Sequence, residues 1–170
     1  MAAGRNERNV TIENATLVLR NFEGKEDKYN RKGNRNFGIL LSPELAETMA
    51  KDGWNVKFFK VREDGGEPQA WLQVSVAFDR GRPPRIVMIT SRGRTPIDEE
   101  TAELLDWVDI AVADVIIRPY DWSVQGENGV KAYLKTLFVT IEEDELELKY
   151  ANVEDAPARN GRTVEPEGES

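Results

Sequence analysis

The 170-residue chain contains no cysteine and no histidine. Without cysteine it can form no disulfide and offers neither a thiolate nucleophile nor a Cys-ligated zinc site. Without histidine it has no Ser-His-Asp triad, no imidazole base and no His-ligated metal. A metal enzyme would have to work through carboxylates alone, and a general base would be Asp, Glu, Lys or Tyr. No apolar run approaches the length of a membrane span, and Met1–Arg8 lacks the apolar stretch of a signal peptide. These absences weigh against catalysis, predict that no cofactor or metal is needed, and predict a soluble intracellular chain with no membrane partner.

The net charge of -8 looks unsuited to a polyanionic ligand until it is placed along the chain. Ile141–Ser170 holds ten acidic and three basic side chains, a net of -7, which leaves -1 for Met1–Thr140. The chain is a nearly neutral body with an acidic end. At 39% hydrophobic residues the body suffices for one domain with a core.

Three regions are expected: a flexible leader over 1–8, one domain over 9–150 and a disordered acidic tail over 151–170. Within the domain, Val10–Leu19 alternates like a strand with a phase change at Glu13-Asn14, where a bulge would re-aim the side chains. Asn21–Arg35 reads as a loop and Phe37–Leu41 as a strand. Ser42-Pro43-Glu44 opens a helix and Asp52-Gly53 closes it. Trp54–Val61 and Gln69–Phe78 are expected to form a hairpin joined by Asp64-Gly65-Gly66-Glu67-Pro68, and Arg85–Ser91 is a further strand. Thr95-Pro96-Ile97-Asp98 repeats the helix-start pattern, with Ile97, Thr101, Leu104, Leu105 and Val108 on one helical face. Ala113–Trp122 and Val130–Glu142 complete about seven strands. The pattern predicts a mainly β fold: an OB-like, five-stranded curled antiparallel barrel with extra strands and two short helices. An SH3-like barrel or a small sandwich satisfies the same alternation.

Three constellations could carry function. In the first, Arg20–Arg35 holds six bases against three acids, with Lys28, Tyr29, Arg31, Lys32 and Arg35 as candidates for phosphate and base contact. Phe37 belongs to the core. In the second, five arginines (Arg80, Arg82, Arg85, Arg92 and Arg94) occur with no acid among them. They flank one apolar strand at its opposite ends, and their fork geometry suits phosphates. In the third, Arg118, Tyr120 and Trp122 share one strand face, as do Lys131, Tyr133 and Lys135. If those strands pair, they make a basic, aromatic surface on which unpaired bases stack. Trp71 is a candidate for the same face, whereas Trp54, Phe58 and Trp107 are assigned to the core. Asp98-Glu99-Glu100 and Glu147-Leu148-Lys149 resemble two-metal nuclease elements. The first, however, suits a helix start on dipole grounds, and the second lies in the acidic end.

The residues of Asn9–Tyr150 resemble the single-stranded DNA-binding proteins of tailed bacteriophages, particularly those of phages of actinobacteria. The similar strings are Asn9–Ala15, Tyr29-Asn30-Arg31 with Arg35-Asn36-Phe37, Arg85–Arg94, Leu104-Leu105-Asp106-Trp107, Ile117-Arg118-Pro119-Tyr120 and Gly129–Lys135. The resemblance implies an OB fold and no catalysis. It implies coating of single-stranded DNA during phage replication and recombination in the cytoplasm of the infected bacterial host. It also implies an acidic tail that competes with DNA and docks phage or host replication and recombination proteins. The chain closes on Glu167-Gly168-Glu169-Ser170 and not on the aromatic common in such tails, so electrostatic competition is the expected role. Self-association is compatible with these features. The rival expectations are a carboxylate-only, metal-dependent nuclease and a phage structural or protein-interaction module.

Overall fold

In the computed structural model, which describes residues 8–61 and 65–143, the alternating runs become strands whose inner faces build one core. The strands are β1 (Val10–Ile12), β2 (Leu17–Asn21), β3 (Arg35–Leu41), β4 (Val56–Phe58), β5 (Ala70–Val76), β6 (Arg85–Thr90), β7 (Gly93–Ile97), β8 (Ile110–Val124) and β9 (Glu127–Ile141). One helix, α1 (Pro43–Lys51), follows β3, and a 3-10 turn spans Ala102–Asp106. Ser42 caps α1, its Oγ accepting from the Leu45 N–H at 3.1 Å.

The ladder runs β1-β8-β9-β5-β3-β2, with β4 on β5 and the β6–β7 hairpin on β9. The sheet curls but does not close. β1 and β2 stand at the two ends of the path, joined by chain that turns at Asn14 with φ 53°. This is the phase change expected at Glu13-Asn14. Most pairings are antiparallel, but β9 lies parallel to both β5 and β6. The β8–β9 hairpin is longer than expected because its turn needs only Gln125 and Gly126, at φ 52° and 86°. Positive φ at both central residues matches the twist of the flanking strands.

In β5, Ala70, Leu72, Val74 and Val76 are buried, which turns Trp71, Gln73 and Ser75 to the outer face. β9 buries Val130, Ala132 and Leu134, then Leu137 and Val139. The phase slips at Lys135, where a bulge sets Ile116 opposite Thr136 but Ile117 opposite Leu134. Phe22 and Phe37 stack in the core with ring centroids 5.0 Å apart, and Trp54 is buried near α1.

Several expectations need correction. Thr95-Pro96-Ile97 does not open a helix but belongs to β7, an edge strand paired only with β6, where a proline's missing N–H costs no ladder bond. Among the described residues there are therefore one α-helix and a short 3-10 turn, which buries Leu105 and leaves Leu104 exposed. Phe58 is 59% exposed, because the three-residue β4 ends beside α1 at the sheet rim and gives the ring no cover. Trp107 is 70% exposed just past the 3-10 turn. The leader through residue 7, and the tail with the domain end at Tyr150, lie outside the described residues.

Candidate nucleic-acid interface

The outer face of the curled sheet carries two grooves that share a wall. The first, of about 570 Å³, lies between the 29–36 loop, the outer face of β5 and the β8–β9 hairpin. Its sides include Tyr29, Arg35, Arg80, Trp122, Lys131 and Tyr133, and Asp79 is the acid among them. Pairing sets Arg118 opposite Tyr133, Tyr120 opposite Lys131 and Trp122 opposite Gly129, so five residues of the third constellation come together and Lys135, on the β9 bulge, does not.

Its aromatics are arranged in depth. Tyr120 and Tyr133 meet edge to face at 5.8 Å, and Arg80 lies over both rings, 4.9 Å from the Tyr133 centroid and 5.8 Å from that of Tyr120. Lys131 approaches the Tyr133 ring at 5.0 Å. Such cation-π contacts hold the positive heads above the sheet. The Trp122 indole lies flat against Gly129, where an added Cβ would come within 2.9 Å of the ring. Arg118 donates to the Arg82 carbonyl at 3.2 Å. Burial, together with the neighbouring Arg82 charge, pulls its guanidinium below its usual pKa, a site of concentrated positive charge next to the groove.

The 21–36 loop is built by side-chain amides. Asn21 Oδ1 accepts from the Gly24 and Lys25 N–H groups at 3.0 and 2.9 Å. The Asn30 amide nitrogen lies 2.8, 3.1 and 2.9 Å from the carbonyls of Lys25, Arg31 and Asn34, and its oxygen accepts from Asn36 at 3.0 Å. Asp27 accepts from the Tyr29 N–H at 2.7 Å. The result is a fixed loop presenting a Tyr29 side chain that is 90% exposed. Gly24 and Gly33, at φ 78° and 92°, supply the turns.

The structure brings together Tyr29, Arg35, Arg80, Trp122, Lys131 and Tyr133 in the first groove. Arg82, Arg118 and Tyr120 line an adjoining recess with Arg80 and Tyr133. Lys28 lies over the Tyr29 ring at 5.6 Å, and Arg31 and Lys32 stand exposed on the same loop. Arg35 also has a structural task, donating to the Phe22 carbonyl at 2.6 Å. The remaining candidates are elsewhere. Lys135 sits exposed on the β9 bulge, Arg85 covers the Phe138 ring at 5.2 Å, and Arg92 and Arg94 belong to the β6–β7 hairpin.

The second groove, of about 720 Å³, shares Tyr29, Asn30, Asn36 and Gln73 with the first and continues to Trp71, Lys57, Lys25 and Trp107. Trp71 stacks on Phe59 at 5.3 Å and carries Lys57 above its ring at 5.3 Å. Lys25 and Lys57 were not among the sequence candidates and Trp107 had been given to the core. The alternation of Lys57 against Val56 and Phe58 did place it on the opposite face of β4.

Among curated proteins no sequence matches the chain. Among solved structures it is similar to the single-stranded DNA-binding protein of bacteriophage Enc34 in complex with ssDNA, with a TM-score of 0.52 and 8% identity over 81% of this chain and 89% of that one. A further structure of the Enc34 protein gives a TM-score of 0.50 and 9% identity over 89% of each chain. At such identities the likeness is one of fold. A family model described as "Putative phage ssDNA-binding domain" matches residues 2–169. With nearly its whole length matched, the chain belongs to the phage single-stranded DNA-binding domain family.

Proposed function

We propose that this protein binds single-stranded DNA without sequence preference, coating and protecting it during phage replication and recombination in the cytoplasm of the infected host. The observation that carries this reading is the first groove, where Arg80 and Lys131 lie over Tyr120 and Tyr133 beside Trp122 and the Tyr29 loop. Cations meet the phosphates while exposed ring faces stack bases, and stacking tolerates every base because each has a π-face. Family membership supports the same reading. The full set of contacts we propose is Lys28, Tyr29, Arg31, Lys32, Arg35, Arg80, Arg82, Arg118, Tyr120, Trp122, Lys131 and Tyr133. Arg85, Arg92, Arg94 and Lys135 would contribute only to a strand that leaves the groove.

We read the role as binding rather than cleavage. Asp98, the first acid of the nuclease-like string, accepts from the Thr101 hydroxyl and from the N–H groups of Thr101 and Glu100, each at 3.0 Å. Its carboxylate is thus engaged in shaping the turn, and among the described residues no group of three or more acids stands where it could hold a metal. Within this reading the acidic tail modulates binding and recruits replication partners.

The test is a titration with oligo-dT at two salt concentrations, read by tryptophan quenching. Affinity should fall with salt with a slope of about 0.7 per phosphate neutralised. No binding at micromolar protein in low salt would overturn the reading. Mg²⁺-dependent cleavage that disappears in Asp98→Ala would establish the nuclease instead.

A further inference from the structure

Trp107 is a large apolar side chain, 70% exposed, on a segment that is held unusually firmly. Arg20 donates from one nitrogen to the carbonyls of Leu105 and Val108, both at 2.8 Å, and so pins the chain on either side of it. Asp106 accepts from the Phe22 and Glu23 N–H groups at 2.7 and 3.0 Å, tying the start of the 21–36 loop to the same turn. Arg20 and Asp106 are thus both engaged in holding the turn that carries the tryptophan. Lys25, on that loop, then reaches over the indole at 5.5 Å.

The wall beside Trp107 shows the same preparation. Leu19 adopts φ 51°, a left-handed conformation unfavourable for leucine, where the β2–β3 register is interrupted, and its side chain is 57% exposed. Trp71 lies flat because β3 has Gly38 beneath it: a Cβ there would sit 2.7 Å from the ring. An exposed leucine, an exposed tryptophan and a flattened tryptophan therefore line one groove with Lys25 and Lys57 at its edges.

We infer that this second groove is a base-stacking subsite, and that single-stranded DNA crosses the sheet from Tyr133 past Tyr29 to Trp107. Trp107 takes one unpaired base on its open face, with Lys25 meeting an adjoining phosphate. Trp71, already stacked on Phe59, and Leu19 form the apolar wall beside that base. Tyr29, which lines both grooves, stands where the two halves join. The inference rests on the single-stranded DNA reading and adds a second half to the path.

The test compares wild type, Trp107→Ala and Trp107→Phe, as full chains, with oligo-dT of about 4 and about 16 nucleotides, the range of site sizes of a single OB fold. Trp107→Ala should weaken binding of the longer oligonucleotide about tenfold, the loss expected for one stacked base. It should also narrow the affinity gap between the two lengths. Trp107→Phe should keep most of the affinity while removing part of the oligonucleotide-induced quenching. That quenching difference is read on a ring that still fills the site and does not depend on the alanine variant's fold. Wild-type affinity in Trp107→Ala, or unchanged quenching in Trp107→Phe, would overturn the subsite and leave the single-stranded DNA reading intact. Failure of the wild type to bind either length would overturn both.

Discussion

Asn30 shows how much of the interface depends on one neutral side chain. Its amide bridges three carbonyls and Asn36, and no ion pair among the described residues holds the loop in its place. Asn30→Ala should lower the melting temperature by a few degrees and free the loop and with it Tyr29. With each lost hydrogen bond worth about 1 kcal/mol, oligo-dT affinity should fall roughly fivefold or more, measured by fluorescence titration alongside amide exchange of 25–34. Undiminished affinity with faster exchange would show that the loop does not contribute. Gly38→Ala is the complementary case. Its methyl would collide with Trp71, so overpacking should cost about 1–3 kcal/mol in denaturant unfolding, and the tilted indole should weaken binding. At this scale the aromatic and basic candidates of the first groove were legible, because strand alternation places a side chain on a face. Asn30 was not, since a bridging amide has no spacing that announces it. The exposed Trp107 was not either, because hydrophobicity alone argues for burial.

The elements explain which readings travelled from sequence to structure. α1 was readable because its cap, its proline and its closing glycine act locally: Ser42, Pro43 and Gly53 do in the structure what their chemistry dictates. Thr95-Pro96 carried the same letters into an edge strand, because a proline is tolerated in both places and only the pairing of β7 with β6 decides between them. Ala102–Asp106 is too short for a helical period, so nothing distinguished it from the start of a longer helix. Of the acids assigned to a helix start, Asp98 does shape the turn that precedes Ala102–Asp106. Hydrogen bonds from the Thr101 hydroxyl and N–H lower the pKa of Asp98 below the usual carboxylate value. Because the folded pKa is the depressed one, the contribution is present above the ordinary aspartate pKa and is lost as pH falls through the folded value. An NMR titration should therefore find Asp98 protonating below about 3.9, and Thr101→Val should move it back up. A midpoint unchanged by that substitution would show that the threonine does not set it.

For the whole molecule the decisive quantity is where charge sits relative to the groove. β6 separates Arg80 and Arg82, at the groove, from Arg92 and Arg94 at its other end. There Glu143 accepts from the Ser91 N–H at 2.7 Å and from its hydroxyl at 2.9 Å. Glu143, within the acidic end, thus lies at the end of β6 away from Arg80 and Arg82. Distance does not prevent the acidic end from acting on the groove, since the 27 residues after Glu143 could extend about 90 Å. Charge gives the reason to test it: residues 141–170 carry -7 against -1 for the rest, and 151–170 account for -3 of that. Removing residues 151–170 should therefore tighten oligo-dT binding at low salt, and the gain should shrink as salt screens the tail. The slope of affinity against salt tests the cause more closely. A tail that occupies the cationic groove already releases some of the counterions that DNA would release, so its removal should steepen that slope. A tighter but parallel salt dependence would mean that the tail repels DNA from a distance, and equal affinity at every salt would mean that it does neither.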